Sequence, residues 1–389
     1  MTASPNLAQH DTVRSAFPAL QEVTYLNVGT YGIMPEPALA SFLECLGEFE
    51  RFGVASRGGL HHATQQARVD LATLLGCDPS EIAFSGNATD GTNLVLAGLP
   101  WQAGDEIITT DQEHESIVHP LMYLQRTRGV RVQWIEVSPD PQTMIARCEQ
   151  IASPRTRLLA FSHVSCETGT RLPAKEMCAW AANRGMLSHV DAAQSLGVFR
   201  FSTSELGCDF LTSNGHKWLS GPKGTGVFFA RSDRVGQLSP AHVGAGTLER
   251  VDTATGTADP WLSCRRFEFG TRAHALYAGL GASLSWLSHL GWANIEQYIA
   301  GLSDYLKQRI AERAYLRLLT PNKWEESSGL TTFQVIDHPF GGISAALREQ
   351  RIPVRAIPHY DAIRISTAHF NNRQDIDRLM SALDVIVRR

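Results

Sequence analysis

Apolar residues along this chain gather in short runs separated by stretches of helical spacing. The runs Ile82-Ala83-Phe84, Glu106 to Thr110, Arg131 to Val137, Leu158 to His163, Gly185 to Asp191 and Gly224 to Ala230 read as strands. Between them, stretches such as Leu94 to Leu99 and Glu176 to Arg184 read as helices. Strand then helix, repeated from Ile82 to Lys217, predicts an α/β unit in which a mostly parallel sheet carries helices on both faces. An acidic residue closing such a strand faces the crevice where open α/β sheets bind ligands, and Asp191 closes one.

The flanks read differently. Residues from Met1 to about Arg14 look like a flexible arm, and Thr24 to Gly32 reads as a strand running into a glycine-containing loop. Pro35 and Pro37 then open a helix through Arg51, and a second helix from Leu60 to Leu75 stops at Gly76. The stretch His242 to Pro260, rich in Gly, Thr and Ala, is expected to be a mobile loop. A long helical region from Leu276 to about Arg313 leads into a small α+β unit beginning near Tyr315. Its strands are Leu330 to Val335 and Ile363 to Ser366, and its helices Ile343 to Gln350 and Asp375 to Val387. The expected division is an N-terminal segment 1–28, a large domain 29–275 and a linking helix with a small domain 276–389.

Composition narrows the partners. A chain of 389 residues exceeds what one hydrophobic core serves, and its 43% apolar content can fill two. With 35 Lys and Arg against 39 Asp and Glu, no basic field exists to hold nucleic acid or an anionic membrane, so a small molecule is the expected ligand. Seven scattered cysteines without a CxxC pair argue for reduced thiols rather than a disulfide framework. The first ten residues lack a leader's basic start and apolar run, and no later stretch is long enough to span a membrane, which predicts a cytoplasmic protein.

The chemistry concentrates in Ser213-Asn214-Gly215-His216-Lys217-Trp218-Leu219-Ser220-Gly221-Pro222-Lys223-Gly224-Thr225-Gly226. A lysine buried among apolar and glycine-rich neighbours loses hydration; its neutral amine becomes a nucleophile able to form an imine with a carbonyl cofactor. Lys217 is the candidate. The loop from Ser85 to Asn93, between a strand and a helix, leaves N–H groups at a helix N-terminus where a phosphate can sit, with Ala88 and Thr89 placed on it. Helix capping by Asn87 or Thr89 is the plainer use of the same residues. Two apparent motifs fail on spacing. His114 and His119 are five apart and leave a common helix face, which excludes a zinc helix, and Gly221, Gly224 and Gly226 precede a strand rather than the helix of a dinucleotide fingerprint.

Taken together, Asp191-Ala192-Ala193-Gln194, followed by Asn214, His216 and Lys217, resembles the site of fold-type I pyridoxal 5'-phosphate enzymes, in the class V aminotransferase and cysteine desulfurase-like group. The resemblance runs from Tyr25-Leu26-Asn27 through Phe267-Glu268-Phe269-Gly270-Thr271 and Tyr277-Ala278-Gly279-Leu280 to Ile363-Arg364-Ile365-Ser366. It implies a large domain with a mostly parallel, seven-stranded type of sheet and a small α+β C-terminal domain. It also implies that Lys217 carries the cofactor, Asp191 keeps the pyridine nitrogen protonated, His114 stacks on the ring and Gln194 donates to the ring oxygen. Ala88, Thr89, Asn214 and His216 would hold the phosphate. Thr271 would reach the phosphate of a neighbouring subunit, implying a homodimer. Arg364 would grip the α-carboxylate of an amino-acid substrate. Cys166 stands where desulfurase relatives carry an asparagine. No cysteine follows Cys264, so a desulfurase's small-domain nucleophile is missing. Arg355, nine positions before Arg364, resembles instead the cysteine and cystine C–S lyases, where it would bind a second carboxylate. Alternatives are an amino-acid epimerase, a desulfurase-like enzyme, a non-catalytic binding protein on this fold and, more remotely, a nicotinamide oxidoreductase.

Overall fold

The structure, a computed structural model, describes residues 7–388. Its largest element is a sheet of seven strands: β1 Ile82–Ser85, β2 Glu106–Thr110, β3 Arg131–Ile135, β4 Thr156–Ser162, β5 Leu187–Asp191, β6 Phe210–Asn214 and β7 Gly226–Ala230. Their order across the sheet is β1-β7-β6-β5-β4-β2-β3. The strands from β6 to β3 pair in parallel, while β7 runs antiparallel to both β1 and β6. Every residue of β1, β2, β6 and β7 is buried. Apolar layers lie on both faces: Ile108, Phe161, Val190 and Leu211 belong to one, Ile107, Ala160, Phe210 and Phe228 to the other. Two covered faces are what a largely parallel sheet requires.

A hairpin of β8 Leu248–Asp252 and β9 Thr257–Pro260 occupies the stretch expected to be a mobile loop. The Asp252 carboxylate accepts from the Ala254 and Thr255 amides, and Gly256 takes a positive φ of 72°, so turn chemistry at Asp252–Gly256 closes the strands. A second sheet is formed by β10 Leu316–Leu318, β11 Leu330–Val335, β12 Arg355–Ile357 and β13 Ala362–Ser366, in the antiparallel order β10-β11-β13-β12. Helices Phe340–Glu349 and Arg373–Ile386 pack with it around Phe333, Leu347, Ile363, Ile365, Leu379 and Leu383. The helical region before it is two helices, His274–Leu290 and Trp292–Ala311, separated by Gly291 at φ 83°.

The N-terminal expectation is corrected where it can be seen. Leu7–Ser15 is a helix, not a flexible arm, and Arg14 makes a bidentate ion pair with Asp375 at 2.8 and 2.9 Å; residues 1–6 lie outside the described residues. The chain from Asn27 to Gly32 then lies between the two sheets. Gly32 N–H donates to the His216 carbonyl (2.7 Å), and Gly29 N–H donates to Ser366 Oγ on β13 (3.0 Å). A Cβ on Gly32 would stand 2.2 Å from the Lys217 carbonyl, so only glycine permits this approach.

Candidate active site

The carboxyl ends of β1, β2, β4, β5 and β6 open toward β13, where Asp191, His114, His216, Lys217, Cys166, Arg355 and Arg364 interact, whereas Thr89 and Thr271 are exposed and are not brought into that group. Asp191 is the last residue of β5 and 4% exposed. Its Oδ1 accepts from Ala193 N–H at 2.8 Å, and Ser116 Oγ lies 3.4 Å from Oδ2. Burial raises its pKa, while the Ala193 amide, the charge of Lys217 and the Ser116 hydroxyl oppose the rise. A carboxylate this enclosed favours a cation beside it.

Lys217 lies in the turn after β6, 9% exposed. The turn is held by Ser220 N–H to the Lys217 carbonyl (3.0 Å), Gly221 N–H to the Gly215 carbonyl (2.8 Å) and Ser283 Oγ to the Ser220 carbonyl (2.9 Å). Ser220 accepts a left-handed φ of 53° to make it. Desolvation depresses the Lys217 pKa to about 8; Asp191 pulls it back up, and Arg364 and Arg355 push it down. None of the described residues accepts a hydrogen bond from its Nζ. Lys223, six positions on, is occupied: its Nζ donates to the Gly32 carbonyl at 2.7 Å.

His114 caps the helix Glu115–Arg128, its Nδ1 accepting from Ser116 N–H at 3.0 Å. His114 is an exposed residue, yet desolvation together with Lys217 lowers its pKa to about 4. It is therefore neutral at physiological pH, with its proton on Nε2. Gln194 is fixed at both ends of its amide: Nε2 donates to the Gly29 carbonyl (2.9 Å) and Oε1 accepts from Trp218 Nε1 (3.0 Å).

At the β1 end, Asn87 caps the helix Ala88–Gly98 by accepting from Asp90 N–H at 2.9 Å. The Ala88 N–H is already engaged, donating to Asn214 Oδ1 at 3.0 Å, so Ala88 and Asn214 brace one another. Thr89, one residue on, is exposed. His216 is 9% exposed, its pKa pushed down to about 4 by burial and by Lys217, and its Nδ1 is buried without a partner. An orphaned donor or acceptor in such a place points to a missing polar ligand. Thr271 is exposed, just before the helix His274–Leu290; its neighbour Arg272 is tied to the Phe84 carbonyl at 2.6 Å.

From the small sheet, Arg364 on β13 is 3% exposed. Its Nη1 donates to the Cys166 carbonyl, Nη2 lies 3.5 Å from Thr30 Oγ1, and Nε has no partner. No carboxylate of the described residues forms an ion pair with it, and burial lowers its pKa to about 10. A desolvated guanidinium without a counter-ion favours an incoming carboxylate. Arg355 faces Arg364 across the β12–β13 register and is exposed at the rim. The Cys166 thiol lies within the fields of Arg364 and Lys217, and burial holds its pKa at about 11, so it is a neutral S–H.

Sequence reasoning missed several members. Glu113 is 7% exposed; its carboxylate accepts from Thr110 Oγ1 (2.5 Å), Ser162 Oγ (2.5 Å) and Ser162 N–H (3.0 Å), and burial with Asp191 nearby lifts its pKa to about 7. It ties the ends of β2 and β4 directly before His114. Its adjacency to His114 at a strand end was the available signal. Thr30, Ser116 and Trp218 had none, because their contacts come from segments distant in sequence.

An unengaged buried amine, an enclosed carboxylate and the orphaned His216 nitrogen fit pyridoxal 5'-phosphate. Comparison with known proteins agrees. The class-V aminotransferase family model matches residues 41–379. Isopenicillin N epimerase of Streptomyces clavuligerus is 33% identical over 340 residues, covering 82% of this chain and 84% of that protein. A cysteine desulfurase of Pectobacterium carotovorum is 30% identical over 410 residues, covering 97% and 98%. Among solved structures, the cystine C–S lyase C-DES in complex with its reaction product cysteine persulfide superposes with a TM-score of 0.87 at 30% identity, covering 94% of this chain and 98% of that one. A C-DES variant with glycine covalently linked to its cofactor gives 0.88 at 29% identity, covering 98% and 99%. Sequence, architecture and site thus converge: this chain belongs to the class-V aminotransferase family and is an enzyme that works with pyridoxal 5'-phosphate.

Proposed function

We propose that the enzyme is a carbon–sulfur lyase that eliminates the sulfur substituent of cysteine, cystine or an S-substituted cysteine, giving pyruvate, ammonia and a thiol, persulfide or sulfide. The observation that carries this reading is the pair of register-opposed arginines, Arg355 and Arg364, beside Lys217, on a small sheet that holds no cysteine. Their charges suit an α-carboxylate on Arg364 and, for cystine, a second carboxylate on Arg355. The likeness to the cystine C–S lyase C-DES supports it.

Bound pyridoxal 5'-phosphate supplies an electron sink for the substrate α-carbon. The chain's own residues do the rest. Lys217 would hold the cofactor and serve as the base for the α-proton, a role suited to an amine depressed to about 8. Asp191 would keep the pyridine nitrogen protonated. Neutral His114 would stack on the ring, and Gln194 would donate to the ring oxygen. Thr89, His216 and the loop braced by Ala88 and Asn214 would hold the phosphate, with Thr271 of a second copy in a homodimer. Arg364 would bind the substrate α-carboxylate and so orient the α-hydrogen toward Lys217. The cytoplasm is its proposed setting; no helix among the described residues is long and apolar enough to cross a membrane.

Epimerisation of an amino acid is the second reading, favoured by the isopenicillin N epimerase relative. One experiment separates the two: incubation of the cofactor-loaded protein with cysteine, cystine, S-alkyl cysteines and alanine, with pyruvate, thiol, sulfide and the opposite enantiomer quantified. The lyase predicts pyruvate in step with thiol or sulfide. Enantiomer formation without pyruvate contradicts it.

A further inference from the structure

The loop from Ser165 to Arg171 follows β4 and contains Cys166; it is closed on itself by Ser165 N–H to the Thr170 carbonyl and Gly169 N–H to the Ser165 carbonyl, tied to Gln112 through the Ser165 and Thr168 hydroxyls, and joined to the small domain through its carbonyls. Arg364 on β13 donates to the Cys166 carbonyl. Thr332 on β11 donates through Oγ1 to the next carbonyl, Glu167 O, at 2.5 Å, and Thr320 Oγ1 donates to the one after it, Thr168 O, also at 2.5 Å. Three consecutive carbonyls are therefore each held by a different side chain. The two threonines are also coupled, because Thr332 N–H donates to Thr320 Oγ1 at 2.7 Å. Thr332 and Arg364 are opposed in the β11–β13 register, which puts their side chains on one face of the sheet. Gly169 makes the closest approach: at φ 73°, its added Cβ would stand 2.5 Å from the Leu330 carbonyl.

These holds differ in what they offer a substrate. Arg364 is the only one of the three with a charge, and with Nη1 on Cys166 O its unpartnered Nε and weakly held Nη2 are left for a substrate carboxylate. The threonine hydroxyls offer a carboxylate nothing comparable while they are committed to carbonyls. We infer that Thr332 and Thr320 are positioning residues for substrate capture: they keep the Cys166 loop seated, so that the Cys166 carbonyl holds Nη1 of Arg364 and leaves Nε and Nη2 set for the carboxylate of the amino acid. Without them Arg364 is the one side chain left on these three carbonyls, and the substrate meets a guanidinium whose anchor on the loop is loose. The inference rests on the reading of Arg364 as the carboxylate site.

Thr332→Val is nearly isosteric and removes only the hydroxyl. With L-cysteine as the probe, it is expected to raise KM about tenfold, the equivalent of roughly one hydrogen bond, with kcat within about twofold. Cofactor absorbance and cofactor affinity stay as in the wild type, and Thr332→Ser restores KM. In the cofactor-free protein, hydrogen–deuterium exchange of residues 165–170 rises in Thr332→Val and returns to the wild-type rate in Thr332→Ser. Thr320→Val gives a second route to the same split if the first variant does not fold. Arg364→Ala separates the two levels: an unchanged KM in that variant overturns the carboxylate assignment and the inference with it. A raised KM in Arg364→Ala beside an unchanged KM in a folded Thr332→Val or Thr320→Val overturns the inference alone. A parallel loss of kcat and cofactor affinity overturns it too, since that marks general damage rather than positioning.

Discussion

Among the described residues two lysines are buried and pushed down to about 8, and only one of them lies in the candidate active site. Lys307, in the helix Trp292–Ala311, is 5% exposed; its Nζ donates to Ser327 Oγ at 2.7 Å and to the Asn322 carbonyl at 3.1 Å. It pins the segment that leads into β11. Lys217 is 9% exposed with its pKa lowered to the same value, but no described residue accepts from its Nζ, and Asp191 faces it from the end of the neighbouring strand. Burial alone therefore does not mark a nucleophile. What distinguishes Lys217 is a depressed amine with no hydrogen-bond commitment, at the carboxyl edge of a parallel sheet.

Replacing each lysine by methionine puts the largest strain on that comparison. Lys217→Met is expected to lower turnover about 10³-fold or more. Lys307→Met should leave turnover within about twofold while destabilising the protein by about 1 kcal/mol, since Asn322 O and Ser327 Oγ lose their donor. Steady-state assays and denaturant melts read both. Comparable losses of turnover in the two variants would erase the distinction.

A smaller effect lies in the pH dependence of the cofactor-free protein. The folded pKa of Lys217, about 8, is below its ordinary 10.5, so between those values the unfolded chain holds a proton that the folded one has released. Stability contributed by this residue therefore rises with pH across that window, and below about 8 the full penalty of burying the charge is present. Lys217→Met is expected to be more stable than the wild type at neutral pH, the difference vanishing above about 10.5. A difference independent of pH would show that Lys217 is not desolvated in solution.

How much of this was legible beforehand follows the range of the interactions. Six of the seven strands of the large sheet could be read because each is a local run rich in apolar residues, and Asp191 because it ends one; β6, Phe210–Asn214, was not, since its polar Thr212, Ser213 and Asn214 run straight into the turn that carries His216 and Lys217. The hairpin of β8 and β9 was taken for a loop because polar, small residues mask its pairing; the Asp252 to Gly256 turn was its only local mark. Strands β10 and β12 are three residues each, too short to carry a period. The engagement of Ala88 by Asn214 and the hold of Thr332 on Glu167 span 126 and 165 residues, and no spacing rule reaches that far. Glu113 was passed over because a carboxylate beside a candidate histidine reads as a solvated charge, and only the fold shows it 7% exposed.

The most direct test of the account is where the cofactor attaches. Borohydride reduction of the cofactor-loaded protein, followed by proteolysis and peptide mapping, should place the pyridoxyl label on Lys217 and leave Lys307, Lys223 and Lys175 unlabelled. Label on Lys307 would mean that burial and a depressed pKa suffice without the strand-end setting, and label on Lys223 or Lys175 would remove Lys217 from the centre of the site.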